Sequence, residues 1–148
     1  MAQLWILVAE SSRAKIYSAK SRMSPLSEIE DLVHPEGRLH EGDLVSDSPG
    51  SDGGTTGQGR HFIDDETSAR EQQNIDFATY IAHHLERARN ERAFDELVLI
   101  APPAFLGLLR SKLSNTLMDR VSLQIDKNLV RQSTPTIAEH LWNENQRE

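Results

Sequence analysis

Two stretches of this chain are apolar at every position. Residues 4–9 read LWILVA and residues 97–101 read LVLIA. Strands that are covered on both faces carry such continuous apolar runs, whereas half-buried strands alternate between apolar and polar positions. We therefore expect both stretches to be central strands of a sheet, with each residue less than about 10% exposed.

An alternating pattern follows the first run and predicts an antiparallel strand. Within residues 13–19, Ala14 and Ile16 share one side of the strand and alternate with more polar neighbours. Residues 10–12 (ESS) separate the two stretches and are typical of a tight turn, so a β-hairpin is expected. A third and weaker strand is predicted through residues 29–33.

A long helix and a shorter one flank the second apolar strand. The long helix is predicted to begin at Ser68, three residues before Glu71, which is the spacing of a capping box. Its apolar stripe repeats at helical spacing and consists of Phe77, Ala78, Ile81, Ala82, Leu85 and Ala88. Pro102 and Pro103 end the apolar strand, and a helix over residues 104–113 is expected to follow.

The C-terminal part completes the fold with a strand over residues 121–125 and a last helix. Thr134 and Pro135 form a suitable N-cap and first-turn pair for that helix. Its inward side chains are expected to be Ile137, Ala138, Leu141 and Trp142. The element order is therefore β-β-β-loop-α-β-α-β-α, which predicts a single α/β domain over residues 1–148, with a mixed β-sheet and packed helices.

Residues 34–68 differ in composition from the rest of the chain. They hold seven of the eight glycines, and eight acidic residues against two basic ones, so they carry most of the net charge of −7. The remainder is nearly balanced in charge and neither attracts nor excludes phosphate by its overall field. Since loops of this length are usually functional or disordered, we expect a long acidic, glycine-rich loop here.

The composition also excludes several classes of protein. The chain has no cysteine, which excludes disulfides, thiolate catalysis and cysteine-ligated zinc. The first apolar run has six residues, which is too short for a secretory signal or a membrane span. A cytoplasmic protein without membrane insertion is therefore expected.

The sequence contains no complete catalytic or metal site, and we predict no catalytic residue, no metal ligand set and no cofactor. His83 and His84 point about 100° apart on a helix, so they cannot bind one ion from a single face. His61 with Asp64 and Asp65 has ligand types but lacks a fourth ligand at a defined spacing. Glycine motifs for nucleotides and a nucleophile elbow are also absent from the sequence.

A candidate binding segment lies inside the long loop. It consists of Gly53, Gly54, Gly57, Gln58, Gly59 and Arg60. Glycines allow a backbone to enter a narrow site, and the arginine is available to a phosphate group. The alternative interpretation is an acidic, glycine-rich loop that contains no site.

Several segments resemble the bacterial host-attachment family, whose members are described as required for attachment to host cells. The resemblance is carried by residues 4–9 with 12–17 (SRAKIY), 35–38 (PEGR), 43–47 (DLVSD), the Phe77-Ala78 pair and residues 97–110 (LVLIAPPAFLGLLR). Residues 126–129 (DKNL) also resemble a family segment that usually reads Asp-Lys-Asp-Leu. The resemblance covers nearly the whole chain.

This resemblance implies a fold similar to the middle domain of archaeal and eukaryotic class-1 release factors and to certain ribosomal proteins. Those release factors position water with a Gly-Gly-Gln tripeptide. In this chain Gly53 and Gly54 are separated from Gln58 by three residues, so peptidyl-tRNA hydrolysis is not expected.

Two hypotheses about function follow from these observations. The leading one is a non-catalytic binding module of the host-attachment family, with the ribosome, RNA or another protein as its partner. The alternative is a hydrolase that uses the glycine-rich loop at residues 53–61. The fold is common to both hypotheses and does not decide between them, and the sequence leaves the oligomeric state open.

Overall fold

The structure is a computed structural model and describes residues 3–34 and 59–147. The strands of the described residues form one mixed sheet in the spatial order β3-β2-β1-β4-β5. Their bounds are β1 (Leu4–Ala9), β2 (Arg13–Ala19), β3 (Ser27–Val33), β4 (Glu96–Ile100) and β5 (Val121–Ile125). The first three strands are antiparallel neighbours, whereas β1, β4 and β5 run parallel.

The two continuous apolar runs lie side by side at the centre of this sheet. Leu7 of β1 is opposite Leu99 of β4 in the parallel pair and opposite Ile16 of β2 in the antiparallel pair. Every residue of β1 is at most 6% exposed, and residues 97–101 are fully buried. Both central-strand predictions are therefore confirmed.

The described residues form four helices, which cover the two faces of the sheet. Their bounds are α1 (Gly59–Asn90), α2 (Pro103–Lys112), α3 (Asn115–Arg120) and α4 (Thr134–Arg147). Phe77 of α1 and Phe105 of α2 bury one face, and their ring centroids are 6.1 Å apart. Ile137 and Leu141 of α4 bury the other face. The predicted α/β class with a mixed sheet and packed helices is confirmed.

Helix α1 begins nine residues earlier than the capping-box pattern predicts. It starts at Gly59 and passes through Ser68 without a break, so the predicted loop at residues 34–68 is too long at its C-terminal end. The physical reason is that residues 60–67 contain neither proline nor glycine, and a Ser-x-x-Glu spacing is tolerated inside a helix as well as at its start. Residues 35–58 of the predicted loop lie outside the described residues.

The C-terminal half differs from the sequence prediction in three further details. Helix α3 was not predicted, because its six residues are too few for a periodic pattern; the Ser114 hydroxyl caps it by accepting the Leu117 N–H. Ser133, and not Thr134, caps α4, since its hydroxyl accepts the Thr136 N–H. Trp142 is 49% exposed instead of inward, because it lies about 100° around α4 from Leu141.

Candidate binding cleft

A cleft of about 330 Å³ lies at the edge of the sheet where the parallel strands end. Glu10 is the first residue after β1, Pro102 is the second residue after β4, and Asn128 is the third residue after β5. Ligands of open α/β sheets bind outside the carboxyl ends of the strands, which makes this location a natural candidate. We call it the carboxyl-edge cleft; its lining residues are Glu10, Ser11, Asn74, Pro102, Ala104, Phe105, Leu108 and Asn128.

Glu10 is the charged residue of this cleft, and its carboxylate is held from three directions. The Asn128 amide donates to Oε1 at 3.1 Å, and the Ser12 hydroxyl donates to Oε2 at 3.2 Å. Arg131 donates to Oε2 at 3.4 Å from a side chain that is 76% exposed, whereas the Glu10 side chain is 15% exposed. Two segments of the chain that are 118 residues apart in sequence therefore meet at this carboxylate.

A hydrogen bond to a nearby backbone N–H orients the Asn128 side chain. Its Oδ1 accepts the Val130 N–H at 3.4 Å, which leaves its amide nitrogen to face Glu10. Leu129 and Val130 are buried in the core under α4 and anchor this segment. An aspartate at position 128, as in the segment that residues 126–129 resemble, would place a second carboxylate beside Glu10, whereas the asparagine supplies a donor.

Helices α1 and α2 provide the opposite wall of the cleft. Pro102 and Ala104 at the start of α2, with Leu108 one turn later, form its apolar part. The Pro102 carbonyl accepts the Leu106 N–H at 2.8 Å and thereby closes the first turn of α2. Asn74 projects from α1, and its amide has no hydrogen-bond partner among the described residues; the same holds for the Ser11 hydroxyl.

A second cleft, of about 650 Å³, lies at the opposite edge of the sheet. Two of its three acidic residues take part in contacts between elements: Asp95 accepts the Gln3 N–H at 2.8 Å, and Glu96 accepts the Ser122 hydroxyl. Arg22 reaches across from the β2–β3 turn to the Ser122 carbonyl at 3.1 Å. We call this the amino-edge cleft; its lining residues are Asp95, Glu96, Thr116, Asp119, Arg120, Val121 and Ser122.

Asp31, Glu86 and Tyr17 have displaced pKa values and lie outside both clefts. The Arg13 guanidinium bonds to Asp31 at 2.8 Å and lowers the pKa of that carboxyl group. Hydrogen bonding to Arg89 lowers the pKa of Glu86 in the same way. Burial raises the pKa of the Tyr17 hydroxyl. All three shifts follow from ion pairing or burial that holds the fold together.

Two of the six residues of the sequence-predicted segment lie within the described residues. Gly53, Gly54, Gly57 and Gln58 lie outside the described residues, whereas Gly59 and Arg60 belong to the first turn of α1. Asn74 is fifteen residues further along α1, which corresponds to about 22 Å of helix. The described part of the candidate segment is therefore well separated along the helix from Asn74.

Metal binding has no support within the described residues. They contain no group of three or more histidine, aspartate or glutamate side chains placed to hold an ion. His84 donates or accepts a hydrogen bond with Glu30 of β3 at 2.9 Å, and neighbouring His83 is exposed. The side chains of His61, Asp64 and Asp65 lie outside the described part of the chain.

No helix in the described part of the chain combines the length and the apolar composition that a bilayer span requires.

Comparison with known proteins adds a family relationship. A family model described as "Protein required for attachment to host cells" matches residues 5–141, which includes every strand and helix α1 to α3 in full or nearly so. No curated protein matches the chain significantly.

Proposed function

We propose that this chain, which belongs to the family of proteins required for attachment to host cells, acts as a non-catalytic binding module through its carboxyl-edge cleft. The family match over residues 5–141 associates the chain with attachment, and the cleft supplies a site. The family description names no reaction, so the chemistry of the cleft has to indicate what the site does.

The main support for this proposal is that both carboxylate oxygens of Glu10 are hydrogen-bonded within the protein. Proton transfer needs a titratable group that is free to approach the reacting atom, commonly paired with a second one. Both Glu10 oxygens already accept hydrogen bonds within the protein, from Asn128, Ser12 and Arg131. Asn74 and Ser11 add neutral groups that recognise a ligand without exchanging protons with it at neutral pH.

The partner that we propose is the ribosome or its RNA, on the basis of the release-factor-like fold that the resemblance to the host-attachment family implies. Apart from residues 34–68, the chain has nearly equal numbers of acidic and basic residues, so its overall field does not repel phosphate. Exposed basic side chains that have no partner among the described residues stand near the C-terminal ends of two helices, at Arg87 of α1 and Lys112 of α2. Cations of this kind are available for backbone contacts with RNA, whereas Arg89, Arg110 and Arg120 already bond to other residues of the chain.

Sedimentation with purified ribosomes tests both parts of the proposal. Ala104 lines the cleft at the exposed start of α2, so Ala104→Trp fills the cleft without entering the core. Asn143→Trp adds the same side chain at an exposed, uncharged position of α4 and serves as the matched control. The wild type and the control are expected to sediment with ribosomes, and Ala104→Trp is expected to remain in the supernatant.

Equal sedimentation of the two variants would show that the cleft is not the binding site, and no sedimentation of the wild type would exclude the ribosome as partner. The hydrolase alternative at residues 53–61 makes a different prediction. Gln58→Ala and Arg60→Ala would then abolish turnover of an aminoacyl or peptidyl ester, and Ala104→Trp would leave turnover unchanged.

A further inference from the structure

The carboxyl-edge cleft contains hydrogen-bonding capacity that the described residues do not use. The Asn74 amide offers both a donor and an acceptor, and the Ser11 hydroxyl does the same. Glu10 Oε1 accepts one hydrogen bond, from Asn128, and has a further lone pair available. A ligand that complements these groups needs hydrogen-bond donors and acceptors on adjacent atoms.

The charge of the cleft selects for a neutral ligand. Arg131 pairs with the Glu10 carboxylate at 3.4 Å, so the negative charge is already compensated from the solvent side. Among the described residues, the other side chains that line the cleft are uncharged. A cationic ligand would compete with Arg131 for Glu10, and an anionic ligand would meet the carboxylate, so neither charge is favoured.

The opposite wall of the cleft is apolar. Pro102, Ala104 and Leu108 present C–H groups across from the polar side formed by Glu10 and Asn128. A sugar ring has the matching properties, because its hydroxyls each donate and accept while its ring carbons present an apolar face. The volume of about 330 Å³ is at the lower end of small-molecule sites, which fits a single ring or a nucleoside rather than a chain of rings.

We propose that the carboxyl-edge cleft binds the vicinal diol of a sugar ring, either a free monosaccharide or the ribose of a nucleoside. Adjacent hydroxyls bind between Glu10 Oε1 and the Asn74 amide, with the ring against Pro102 and Leu108. This inference rests on the proposed binding function and specifies the ligand class of the same site.

Calorimetric or NMR titration with three probes tests the ligand class. The probes are adenosine, methyl mannoside and 2′,3′-dideoxyadenosine, which retains the base but lacks the diol. Adenosine or methyl mannoside is expected to bind at least about tenfold more tightly than the dideoxy compound, because loss of the diol removes two or more hydrogen bonds. The diol that binds more tightly shows whether the ring belongs to a monosaccharide or to a nucleoside. The proposal would be overturned if neither diol binds, or if both adenosine and methyl mannoside bind no more tightly than the dideoxy analogue.

Two asparagine variants assign the binding to the cleft. Asn74→Ala removes an amide that has no hydrogen-bond partner among the described residues, and it is expected to weaken diol binding about tenfold. Asn143→Ala removes an exposed asparagine from α4 and is expected to leave binding unchanged. An equal effect of the two variants would contradict the assignment.

The outcome for the ligand class is distinguishable from the outcome for the binding function. If Ala104→Trp abolishes ribosome sedimentation but no diol binds, the proposed function is retained and the diol is rejected as the ligand. If Asn74→Ala weakens diol binding but the wild type does not sediment with ribosomes, the cleft and the diol are retained and the ribosome is rejected as the partner.

Discussion

The two clefts at opposite edges of the sheet differ in what their polar groups do. The amino-edge cleft is about twice as large, at about 650 against 330 Å³, yet Asp95 and Glu96 join separate parts of the chain there. The smaller carboxyl-edge cleft is lined by an anchored Glu10 and by Asn74, whose amide has no hydrogen-bond partner among the described residues. The amino-edge cleft also contains side chains without such a partner there, Thr116 and Asp119, so the proposed binding site is chosen by its position outside the carboxyl ends of the parallel strands and by its neutral unpaired groups, and not by volume.

The largest effect is expected from Glu10, the anchored group of the carboxyl-edge cleft. Glu10→Ala leaves Asn128, Ser12 and Arg131 without their common acceptor. Since hydrogen bonds to a charged group are worth about 1.5–3 kcal/mol, we expect a loss of that order in the free energy of unfolding. Urea denaturation measures it, with exposed Glu139→Ala as the control. Similar losses in the two variants would mean that Glu10 is not an anchor.

A smaller effect is expected at the amino-edge cleft. Glu96→Ala removes the acceptor of the Ser122 hydroxyl and the acidic neighbour of Arg22. The Glu96 side chain is 38% exposed, so we expect a loss of about 0.5–1.5 kcal/mol in the free energy of unfolding. Ligand and ribosome binding should stay at the wild-type level. Loss of binding in a folded Glu96→Ala protein would show that the amino-edge cleft takes part in recognition.

The ion pair between β2 and β3 provides a pH-dependent reference outside both clefts. Arg13 lowers the pKa of Asp31 in the folded state, so the pair stabilises the protein above about pH 4 and this stabilisation is lost as the pH falls through the lowered pKa. Because both side chains are about 40% exposed, we expect Asp31→Asn to lose about 0.2–1 kcal/mol at pH 7. Stability curves from pH 7 to pH 2 for both proteins should converge at the acid end. A difference that is constant with pH would contradict this account.

The smallest effect on stability is expected from Asn74→Ala. Its amide makes no hydrogen bond to the described residues, so the free energy of unfolding should change by less than about 0.5 kcal/mol. Because alanine has a higher helix propensity than asparagine, a slight gain in the free energy of unfolding would also agree with this prediction. A loss above about 1.5 kcal/mol in urea denaturation would show that Asn74 is structural.

The fold was predictable from sequence wherever packing produces a periodic pattern. The central strands and the buried stripe of α1 follow from runs and repeats that burial requires. The start of α1 was predicted wrongly, because one local signal at Ser68 outweighed the helix-compatible residues before it. Trp142 was predicted to be buried because it adjoins Leu141, although only one side of α4 faces the sheet.

The cleft was less predictable, because long-range contacts create it. Glu10 stands recognisably at the end of a strand, but nothing in the sequence indicates that Asn128 and Arg131 meet it from 118 and 121 positions away. Asn74 is an ordinary polar residue of a helix until α2 and β1 are placed around it. The glycine-rich segment at residues 53–60 has a distinctive local composition and stays a prediction, whereas the cleft has no comparable local signal.

The most direct test of the central claim is an NMR titration of the full chain with adenosine and with methyl mannoside, followed at backbone amides at both edges of the sheet. We predict that shift changes are largest at Ser11, Asn74 and Asn128, which line the carboxyl-edge cleft. Asp95 and Ser122 of the amino-edge cleft should stay unchanged. Changes concentrated at Asp95 and Ser122, with none at Asn74, would contradict the claim that the carboxyl-edge cleft is the binding site.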